Sequence, residues 1–254
     1  MIRLLFQLLY MEEWYKKDLA YIHDVGFRDW ALSSVPGILE ILHHQRILTG
    51  LVVDLGCGSG LLAQELVKAS YDVLGIDISP ALIDIARQRV PEAKFKVESL
   101  FKAHIPPCQV VTAVGECFNY LFDRDNNLTG LTELFARIYQ ALPPGGVLIF
   151  DIAELGQISP ETSNKGFTEG EDWLVLVEKE EDTQKNILTR YISSFRKEGE
   201  LYRRDDEVHI LQLYEVKELM EELDKIGFQV QVKDSYGSFK LPKAHQVVIA
   251  YKPK

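Results

Sequence analysis

The sequence predicts an α/β protein built on a doubly wound parallel sheet with a small antiparallel β insertion. Between Leu51 and Ile152, short β-branched runs alternate with helical patterns, and the runs carry apolar residues on both faces. Strands of that kind are typical of a parallel sheet that helices cover on both sides. After Ile152 the pattern changes to longer segments separated by polar turns, which predicts antiparallel strands.

Five strands and three helices make up the predicted parallel sheet and its covering layers. The first strand, Leu51 to Leu55, leads into a helix from Leu61 to Ala69. Ser79 is placed to cap a second helix and Pro80 to occupy its first position, where the missing N–H costs no hydrogen bond. The remaining predictions are strands over Asp72–Asp77, Ala93–Val97, Val110–Gly115 and Gly146–Ile152 and a helix over Leu128–Ala141.

After Ile152, the predicted elements are assigned from the segments in which apolar and polar residues alternate and from the polar stretches between them. Glu154 to Gly170 is polar and is predicted as a loop. The predicted elements after it are three antiparallel strands over Trp173–Glu180, Ile187–Lys197 and Leu201–Gln212, a helix over Val216–Ile226, and closing strands over Phe228–Tyr236 and Gln246–Tyr251. We therefore expect an N-terminal helical cap over residues 1–45, a core over 46–153 and 214–254, and an antiparallel insertion over 154–213.

The composition is that of a globular protein and excludes several other classes. Of 254 residues, 46% are hydrophobic and 26% are charged, which is enough apolar material for a full core. The net charge of −10 repels phosphate backbones, so we expect no nucleic-acid partner. Three cysteines, an odd and sparse set, are typical of free thiols in a reducing compartment, which predicts a cytoplasmic protein.

The first eleven residues, MIRLLFQLLYM, combine one arginine with a short apolar stretch, as a signal peptide does. However, no small-residue cleavage site follows, and no apolar run reaches the roughly 18 residues that a bilayer span needs. We interpret the segment as an amphipathic helix and expect no membrane association. A helix lying on a membrane surface is the alternative.

A glycine-rich turn after the first strand is the most informative segment. The segment VVDLGCGSG, Val52 to Gly60, places Gly56, Gly58 and Gly60 at intervals of two before a helix. Glycine lets the chain turn sharply and brings backbone N–H groups against a ligand, and the helix N-terminus adds a positive partial charge. The turn lies at the carboxyl edge of the predicted sheet, where doubly wound proteins bind their ligands.

The spacing of these glycines is wrong for a dinucleotide site or a P-loop. A G-x-G-x-x-G pattern would need a glycine where Leu61 stands, and no Lys-Ser or Lys-Thr pair follows. Asp77 ends the second strand about twenty residues later, at the offset where an acidic side chain accepts hydrogen bonds from ribose hydroxyls. The ligand is therefore expected to contain a ribose, and helix capping by Asp77 is the alternative.

The segments VVDLGCGSG, LGIDIS, VESL and LPPGGVLIFDI, in this order, resemble class I S-adenosylmethionine-dependent methyltransferases. The resemblance covers residues 45–153 and, less closely, the closing strands to Tyr251. It implies a seven-stranded Rossmann-like sheet whose last two strands form an antiparallel hairpin, and S-adenosyl-L-methionine as the cofactor. Gln109 departs from the family pattern, which commonly begins the fourth strand with an aspartate.

This resemblance also implies roles for residues along the carboxyl edge of the sheet. The backbone of the first turn would approach the amino-acid end of the cofactor, Asp77 would bind the ribose hydroxyls, and Ile78 would pack on the adenine. The family often has an aspartate where Glu98 or Ser99 stands, to accept a bond from the exocyclic amine, and which of the two takes that role stays open. The expected cofactor-binding residues are Tyr21, Asp54, Gly56, Cys57, Gly58, Gly60, Asp77, Ile78, Glu98, Ser99, Leu100, Gly115, Glu116 and Cys117.

A second resemblance narrows the class of methyltransferase. The N-terminal helical region, the insertion after the fifth strand and the segment EVHILQLYEVKELMEELDKIGF are similar to small-molecule N-methyltransferases that act on glycine or on amino sugars. In that group the insertion and the N-terminal segment close over the substrate. We expect methyl transfer to a nitrogen or oxygen of a small molecule, by a monomer or homodimer, with the methyl acceptor itself left open.

Three residues are candidates for the acceptor side, and each has a structural alternative. Tyr120, after the fourth strand, either orients or deprotonates an acceptor or packs with Phe118 under the next helix. His23 is either a base, for which its ordinary pKa is suited, or a helix-surface histidine beside Asp24. His209 either points from an insertion strand into the pocket or is a plain cross-strand neighbour.

Arg203 and Arg204, with the aspartates that follow them, are most simply a solvated turn, although one arginine could hold a substrate carboxylate or phosphate. No His, Cys, Asp or Glu grouping has the spacing of metal ligands, so no metal is expected. Two other functional classes stay open. One is a catalytically silent S-adenosylmethionine-binding or partner module, and the other is an NAD-dependent oxidoreductase, which the glycine spacing disfavours.

Overall fold

The computed structural model describes residues 14–123, 125–158 and 163–254, so the helix predicted over residues 1–11 lies outside the described part of the chain. The elements in chain order are α1 (Lys17–Gly26), α2 (Asp29–His44), β1 (Gly50–Leu55), α3 (Leu61–Lys68), β2 (Tyr71–Asp77), α4 (Pro80–Arg89), β3 (Lys94–Val97), β4 (Val110–Ala113), α5 (Leu128–Ala141), β5 (Val147–Ala153), β6 (Lys165–Glu169), β7 (Trp173–Asp182), β8 (Ile187–Glu198), β9 (Leu201–Gln212), α6 (Val216–Ile226), β10 (Gln229–Lys233), β11 (Ser235–Tyr236), β12 (Phe239–Lys240) and β13 (His245–Tyr251).

A seven-stranded sheet, which we call the central sheet, has the strand order β10-β13-β5-β4-β1-β2-β3. Strands β1 to β5 run parallel to one another, whereas β13 is antiparallel to both β5 and β10. Every residue of β4 and β5 is buried, as expected for strands that helices cover on both faces. The predicted doubly wound sheet and its closing antiparallel hairpin are confirmed. The order reverses between β1 and β4, which places the ligand crevice at the carboxyl ends of these two strands.

Local signals determine where the helices beside the crevice begin and end. The Ser79 hydroxyl accepts a hydrogen bond from the N–H of Leu82 at 3.2 Å, and Pro80 is the first residue of α4, so the predicted cap is confirmed. Gly227 ends α6 with a φ of 113°, a left-handed conformation that favours glycine.

The central sheet separates two apolar clusters. On the face covered by α5 and α6, the rings of Phe118, Phe135 and Phe150 pack together with centroids 5.1 to 5.7 Å apart. On the other face, α2 and α3 contribute buried side chains such as Ile38 and Leu66. Helix α2 therefore belongs to a covering layer of the central sheet.

The insertion is a separate four-stranded antiparallel sheet in the order β6-β7-β8-β9, which we call the insertion sheet. The sequence predicted only the last three strands and a loop over residues 154–170, so the loop prediction was wrong for Lys165–Glu169. All five residues of β6 are exposed at the edge of the sheet, and β6 therefore lacks the apolar alternation by which a half-buried strand is detected.

Helix α1 packs against the insertion sheet. Its Leu19 and Ile22 form a small apolar cluster with Trp173 and other residues of β7. Asp18 accepts two hydrogen bonds of 2.6 Å from the guanidinium of Arg203 on β9. Arg203 is therefore bound by the chain's own carboxylate and is neither a free turn residue nor a ligand-binding one.

The end of the chain differs from the prediction in one detail. A single strand was expected from Phe228 to Tyr236, but β10 ends at Lys233, and Tyr236 pairs with Phe239 in a separate two-stranded hairpin. The hairpin lies tightly against α2, where a Cβ on Gly37 would be 2.3 Å from the carbonyl carbon of Tyr236. This close approach is a tertiary contact, which the strand pattern does not contain.

Two further features bear on the expectations from composition. Cys57, Cys108 and Cys117 are all free, as predicted. Within the described ranges, none of the helices combines the length and the hydropathy that crossing a membrane requires.

Candidate active site

A cavity of about 750 Å³ opens at the carboxyl edge of the central sheet and extends to the insertion sheet. The segment before α1 and α1 itself contribute Tyr15, Leu19 and His23 to its walls. Most of the residues singled out in the sequence lie on its walls: His23, Gly56, Gly58, Asp77, Ile78, Glu98, Ser99, Leu100, Gly115, Glu116, Cys117, Tyr120 and His209. The fold therefore brings together segments that are up to 186 residues apart, from His23 to His209.

Four of the expected cofactor-binding residues lie outside the cavity walls: Tyr21, Asp54, Cys57 and Gly60. The Tyr21 ring stacks 3.3 Å from the guanidinium carbon of Arg196, and its hydroxyl lies 3.4 Å from Asp172. Residues four apart share a helix face, so the cavity side of α1 carries Leu19 and His23 and not Tyr21. The structure therefore places Tyr21 against Arg196 of the insertion sheet and not on the cavity wall.

Asp54 is buried beneath the glycine turn. Its carboxylate accepts a hydrogen bond of 2.7 Å from the Thr112 hydroxyl, and burial raises the pKa of Asp54 to about 7. This bond joins β1 to β4, and the Asp54 side chain has no place on the cavity wall.

Bare backbone and one carboxylate form the wall at the glycine turn. Gly58 and Gly115 have φ values of 54° and 98°, and a Cβ on either would meet no atom within 4 Å, so it would project into the cavity. The Asp77 carboxylate accepts the N–H of Gly58 at 2.9 Å and the N–H of Ser79 at 2.8 Å. Each carboxylate oxygen keeps a further lone pair, so these contacts and a ligand hydroxyl are compatible. A ribose and the amino-acid end of S-adenosylmethionine fit this wall.

The wall expected beside the adenine has an unpredicted member. Ile78, Glu98, Ser99 and Asp123 all line the cavity. Burial favours the neutral form of Asp123, but hydrogen bonds from Ser99 and from the backbone of Asp125 hold the pKa of that carboxyl below its usual range. Asp123 is therefore a charged acceptor next to the position where the family often has an aspartate.

The turn after β4 is held by Asp151, near the end of β5. The Asp151 carboxylate accepts the N–H of Gly115 at 3.1 Å and the N–H of Glu116 at 2.6 Å. The Trp30 indole and the Tyr236 hydroxyl donate to the same carboxylate at 3.3 and 2.8 Å. Asp151 is fully buried, and these partners hold the strained turn, in which Glu116 has a φ of 60°.

A buried charged cluster lies next to this turn. Glu116 pairs with Arg190 of β8 at 2.8 Å and with the imidazole of His245, the first residue of β13. Burial raises the pKa of Glu116, but Arg190 and His245 together lower it to about 2. Burial lowers the pKa of His245, and its bond to Glu116 outweighs this and raises it above the ordinary value. One carboxylate thus faces two cationic partners.

Tyr120 lines the cavity, whereas Phe118 packs into the core beside α5. The Tyr120 hydroxyl accepts a hydrogen bond from Arg190 at 3.0 Å and lies 3.3 Å from the hydroxyl of Tyr15. Burial raises the pKa of Tyr120, so it stays a protonated phenol near neutral pH. Its chemistry here is that of a hydrogen-bond donor.

His23 faces the cavity and not an exposed helix surface. Its Nδ1 is buried without a hydrogen-bond partner among the described residues. Burial lowers the pKa of His23 to about 4, against a raising contribution from Asp24. The imidazole is therefore neutral at physiological pH and has a nitrogen available to a bound ligand.

His209 is buried on β9, and its Nε2 lies 2.9 Å from Glu207. Burial lowers the pKa of His209 below its ordinary value, although the bond to Glu207 opposes this shift. The neutral ring donates its Nε2–H to that carboxylate, because Glu207 is an acceptor. Glu207 also accepts the N–H groups of Tyr15 and Lys16 at 2.8 and 2.9 Å, which fastens the segment before α1 to the insertion sheet.

Several residues of the site are not predicted by the sequence: Tyr15, Asp123, Asp151, Lys179, Arg190 and His245. The alternation of β7 and β8 contains a signal for two of them, since Lys179 and Arg190 each stand two residues from an apolar neighbour, Val177 or Ile192, on the same strand face. No such local signal exists for Tyr15. Over the described ranges, no group of three or more His, Cys, Asp or Glu side chains is arranged to hold a metal ion.

Comparisons with known proteins agree with this geometry. Residues 52–146 match a family described as a methyltransferase domain. YqeM of Bacillus subtilis (strain 168), a protein named as a methyltransferase, is 26% identical over 187 residues, or 71% of this chain and 74% of that protein.

Two solved structures share the fold at low identity. An S-adenosylmethionine-dependent methyltransferase from Clostridium acetobutylicum ATCC 824 superposes with a TM-score of 0.77 at 22% identity, covering 92% of this chain and 98% of that one. The sugar N-methyltransferase KedS8 from Streptoalloteichus sp ATCC 53650 superposes with a TM-score of 0.75 at 16% identity, covering 91% of this chain and 93% of that one.

The family match spans the glycine turn, Asp77 and the turn after β4, which are the segments that form the cavity wall at the carboxyl edge of the central sheet. The strand order and the bare backbone at Gly58 and Gly115 fit the same cofactor. Residues 52–146 are therefore a methyltransferase domain, and these observations together support a class I S-adenosylmethionine-dependent methyltransferase whose cofactor is S-adenosyl-L-methionine.

Proposed function

We propose that this enzyme transfers the methyl group of S-adenosylmethionine to a nitrogen or oxygen of a small molecule that binds beneath the insertion sheet. This proposal rests on one continuous cavity, which has Asp77 on one wall and Arg190, Ile192 and His209 on another. Its volume of about 750 Å³ lies in the range of small-molecule sites, with room for a nucleoside cofactor beside a small acceptor.

Residues at the carboxyl edge of the central sheet are proposed to hold the cofactor. Asp77 would accept the ribose hydroxyls, the backbone at Gly58 and Gly115 would approach the amino-acid end, and Ile78 would pack on the adenine. Asp123 is well placed to accept from the adenine amine. When bound, S-adenosylmethionine supplies a methyl group that its sulfonium has already activated. The chain then has to position the acceptor, exclude water and remove a proton.

Water exclusion is assigned to residues 1–45 and 154–213, which we propose to be the cover of the acceptor site. Tyr15 supports this assignment because it lines the cavity while its backbone N–H donates to Glu207 at 2.8 Å and its carbonyl accepts from Ser79 at 2.9 Å. The segment before α1 is thereby tied to the insertion sheet on one side and to α4 on the other.

Proton removal is assigned to His23. Its side chain lines the cavity and is neutral, so it is able to accept a proton, and its pKa of about 4 makes it a weak base. His209 holds Glu207 and with it the covering segment, so we give it a positioning role. Tyr120 is proposed to donate a hydrogen bond that orients the acceptor.

The likeness to the sugar N-methyltransferase KedS8 favours nitrogen as the acceptor atom, with oxygen as the alternative. The net charge of −10 and the free cysteines support a cytoplasmic enzyme with no nucleic-acid partner. We keep the expectation of a monomer or homodimer, which sedimentation equilibrium would test.

The experiment is a turnover screen of the purified protein with S-adenosylmethionine and a panel of small amines, hydroxy compounds and carboxylic acids. We expect at least one compound to produce S-adenosylhomocysteine above the rate without acceptor, and this production to be lost in Asp77→Ala. Asp72→Ala, on the same strand and exposed, is the matched control. Cofactor binding without turnover of any compound would favour the catalytically silent binding module instead.

A further inference from the structure

Three basic side chains stand in one row across the insertion sheet and face the cavity. Lys179 of β7 is directly opposite Arg190 of β8, and Arg190 is directly opposite His209 of β9. All three line the cavity. Lys179 and Arg190 are like charges directly opposite each other, which is destabilising in a sheet, so this pair needs compensation from other groups.

Arg190 and His209 each have a carboxylate at hydrogen-bond distance, whereas Lys179 has no such partner among the described residues. Glu116 pairs with Arg190 at 2.8 Å, and Glu207 accepts from His209 at 2.9 Å. Lys179 has no hydrogen bond or ion pair from its Nζ to any residue of the described ranges, although its side chain is partly buried. Burial and the nearby Arg190 both lower the pKa of Lys179, because each of them disfavours the charged ammonium at this position.

Arg190 has an unused donor as well. Its two terminal nitrogens are bonded to Glu116 and to the Tyr120 hydroxyl, but its Nε is buried and has no partner among the described residues. An ammonium with three donors therefore neighbours a guanidinium with a free N–H on one face of the sheet. A carboxylate or phosphate is the group that such donors bind most strongly.

The next row on the same face is apolar. Val177 and Ile192 are directly opposite each other, two residues from Lys179 and Arg190, and both line the cavity. This part of the wall suits a hydrocarbon portion of a ligand, so the polarity changes sharply at the basic row.

From this geometry we infer that the methyl acceptor carries an anionic group, a carboxylate or a phosphate, and that Lys179 binds it beside Arg190. The inference rests on the methyl transfer proposed above and names its substrate class. Lys179 is a binding residue that determines specificity, and the anion supplies the countercharge that the basic row lacks.

The test measures anion binding directly, without turnover. The full-length protein is saturated with S-adenosylhomocysteine, and inorganic phosphate and malonate are titrated separately by calorimetry at low ionic strength. We expect both wild type and Lys179→Arg to bind at least one of the two anions. In Lys179→Gln the affinity should fall about 10- to 100-fold, since a hydrogen bond to a charged group is lost. Preference for phosphate or for malonate indicates which anionic group the acceptor carries.

Lys197→Gln is the matched control, because Lys197 is exposed on β8 of the same sheet and its replacement removes the same charge. It should bind the anions as wild type does. Equal affinity in wild type and Lys179→Gln, or no anion binding by the wild-type complex, would overturn the inference.

A second arm separates this inference from the proposed function. Each amine or alcohol of the panel is offered with and without a terminal carboxylate or phosphate. Turnover confined to the anionic forms, with a KM that rises about 10- to 100-fold in Lys179→Gln, supports both the anionic acceptor and the proposed methyl transfer. Equal turnover of neutral and anionic forms would contradict the inference of an anionic acceptor without contradicting methyl transfer. Anion binding that depends on Lys179 without turnover of any compound would count against the proposed function alone.

Discussion

The carboxylate of Asp77 accepts a hydrogen bond from the N–H of Gly58 at 2.9 Å, so the end of β2 is joined to the glycine turn after β1. The second carboxylate oxygen accepts the N–H of Ser79 at 2.8 Å, where α4 begins. Burial raises the pKa of Asp77, and these backbone bonds oppose that shift. The acidic side chain is thus already oriented before a ligand arrives, which lowers the entropic cost of binding.

Replacing Asp77 tests this preorganisation. In Asp77→Ala we expect the affinity for S-adenosylhomocysteine to fall about 100-fold or more, because charge-assisted hydrogen bonds to the ribose are lost. Calorimetric titration measures the change. Asp72→Ala changes an exposed aspartate of the same strand and should bind within about threefold of wild type, well under 1 kcal/mol. Similar affinities for the two variants would contradict the assignment of Asp77.

Gly58→Ala tests the bare backbone of the cavity wall. At a φ of 54° a Cβ costs about 1–2 kcal/mol of stability, and here it would also occupy cavity space. We expect lower thermal stability together with an affinity for S-adenosylhomocysteine about tenfold weaker or worse.

The matched control is Gly199→Ala, in the turn between β8 and β9. Gly199 has a φ of 62° and equally open surroundings, but it lies away from the cavity. This variant should lose similar stability and keep wild-type cofactor affinity. A parallel loss of affinity in both variants would mean that backbone strain, and not the cavity wall, is responsible.

The pair of Glu116 and Arg190 is expected to contribute strongly to stability. Glu116→Gln leaves Arg190 and His245 buried without their shared carboxylate, and breaking a buried pair costs about 3–5 kcal/mol. Urea unfolding measures the loss. Asp206→Asn makes the same change of acid to amide in an exposed pair with Arg204 and should cost less than about 1 kcal/mol. Comparable losses in the two variants would refute the assignment of a buried pair.

His23 makes stability depend on pH. The unfolded chain binds a proton at this residue below a pH of 6.5, whereas the folded chain resists it until about 4. Since the unfolded state then holds more protons, stability falls as the pH drops through this window. From pH 7.5 to pH 5 the loss due to His23 is about 2 kcal/mol.

The measurement is urea unfolding at both pH values for wild type and His23→Gln. The variant should lose about 2 kcal/mol less than wild type does over this interval. His44→Gln changes an exposed histidine of α2 and should follow the wild-type curve. An unchanged pH dependence in His23→Gln would show that the imidazole titrates normally.

The fold and the cavity wall at the carboxyl edge of the central sheet are predictable from short stretches of sequence. The glycine turn, Asp77 and the turn after β4 each follow a strand directly, and the carboxyl ends of parallel strands meet at one edge of the sheet. The local spacing of residues is therefore enough to predict that these residues lie together at that edge. Strand β6 is the exception in the fold, because an exposed edge strand with polar faces has no hydrophobic pattern to detect.

The acceptor side depends on contacts between distant segments. The sequence favours Tyr21 as the tyrosine at the cofactor, but the packing of α1 on the insertion sheet turns Tyr21 away and leaves Tyr15 on the cavity wall. Likewise, Lys179, Arg190 and His209 form a row only because of the register of β7, β8 and β9.

The sequence by itself determined the doubly wound sheet, the cofactor and the residues that follow β1, β2 and β4, since strand periodicity and turn spacing are local properties of the chain. Only the tertiary structure decided which side chains of α1 and the insertion sheet face the cavity. Helix packing and strand register set those directions. The packing of the segment before α1 depends on residues more than a hundred positions apart, as the bond from Tyr15 to Glu207 shows with a separation of 192.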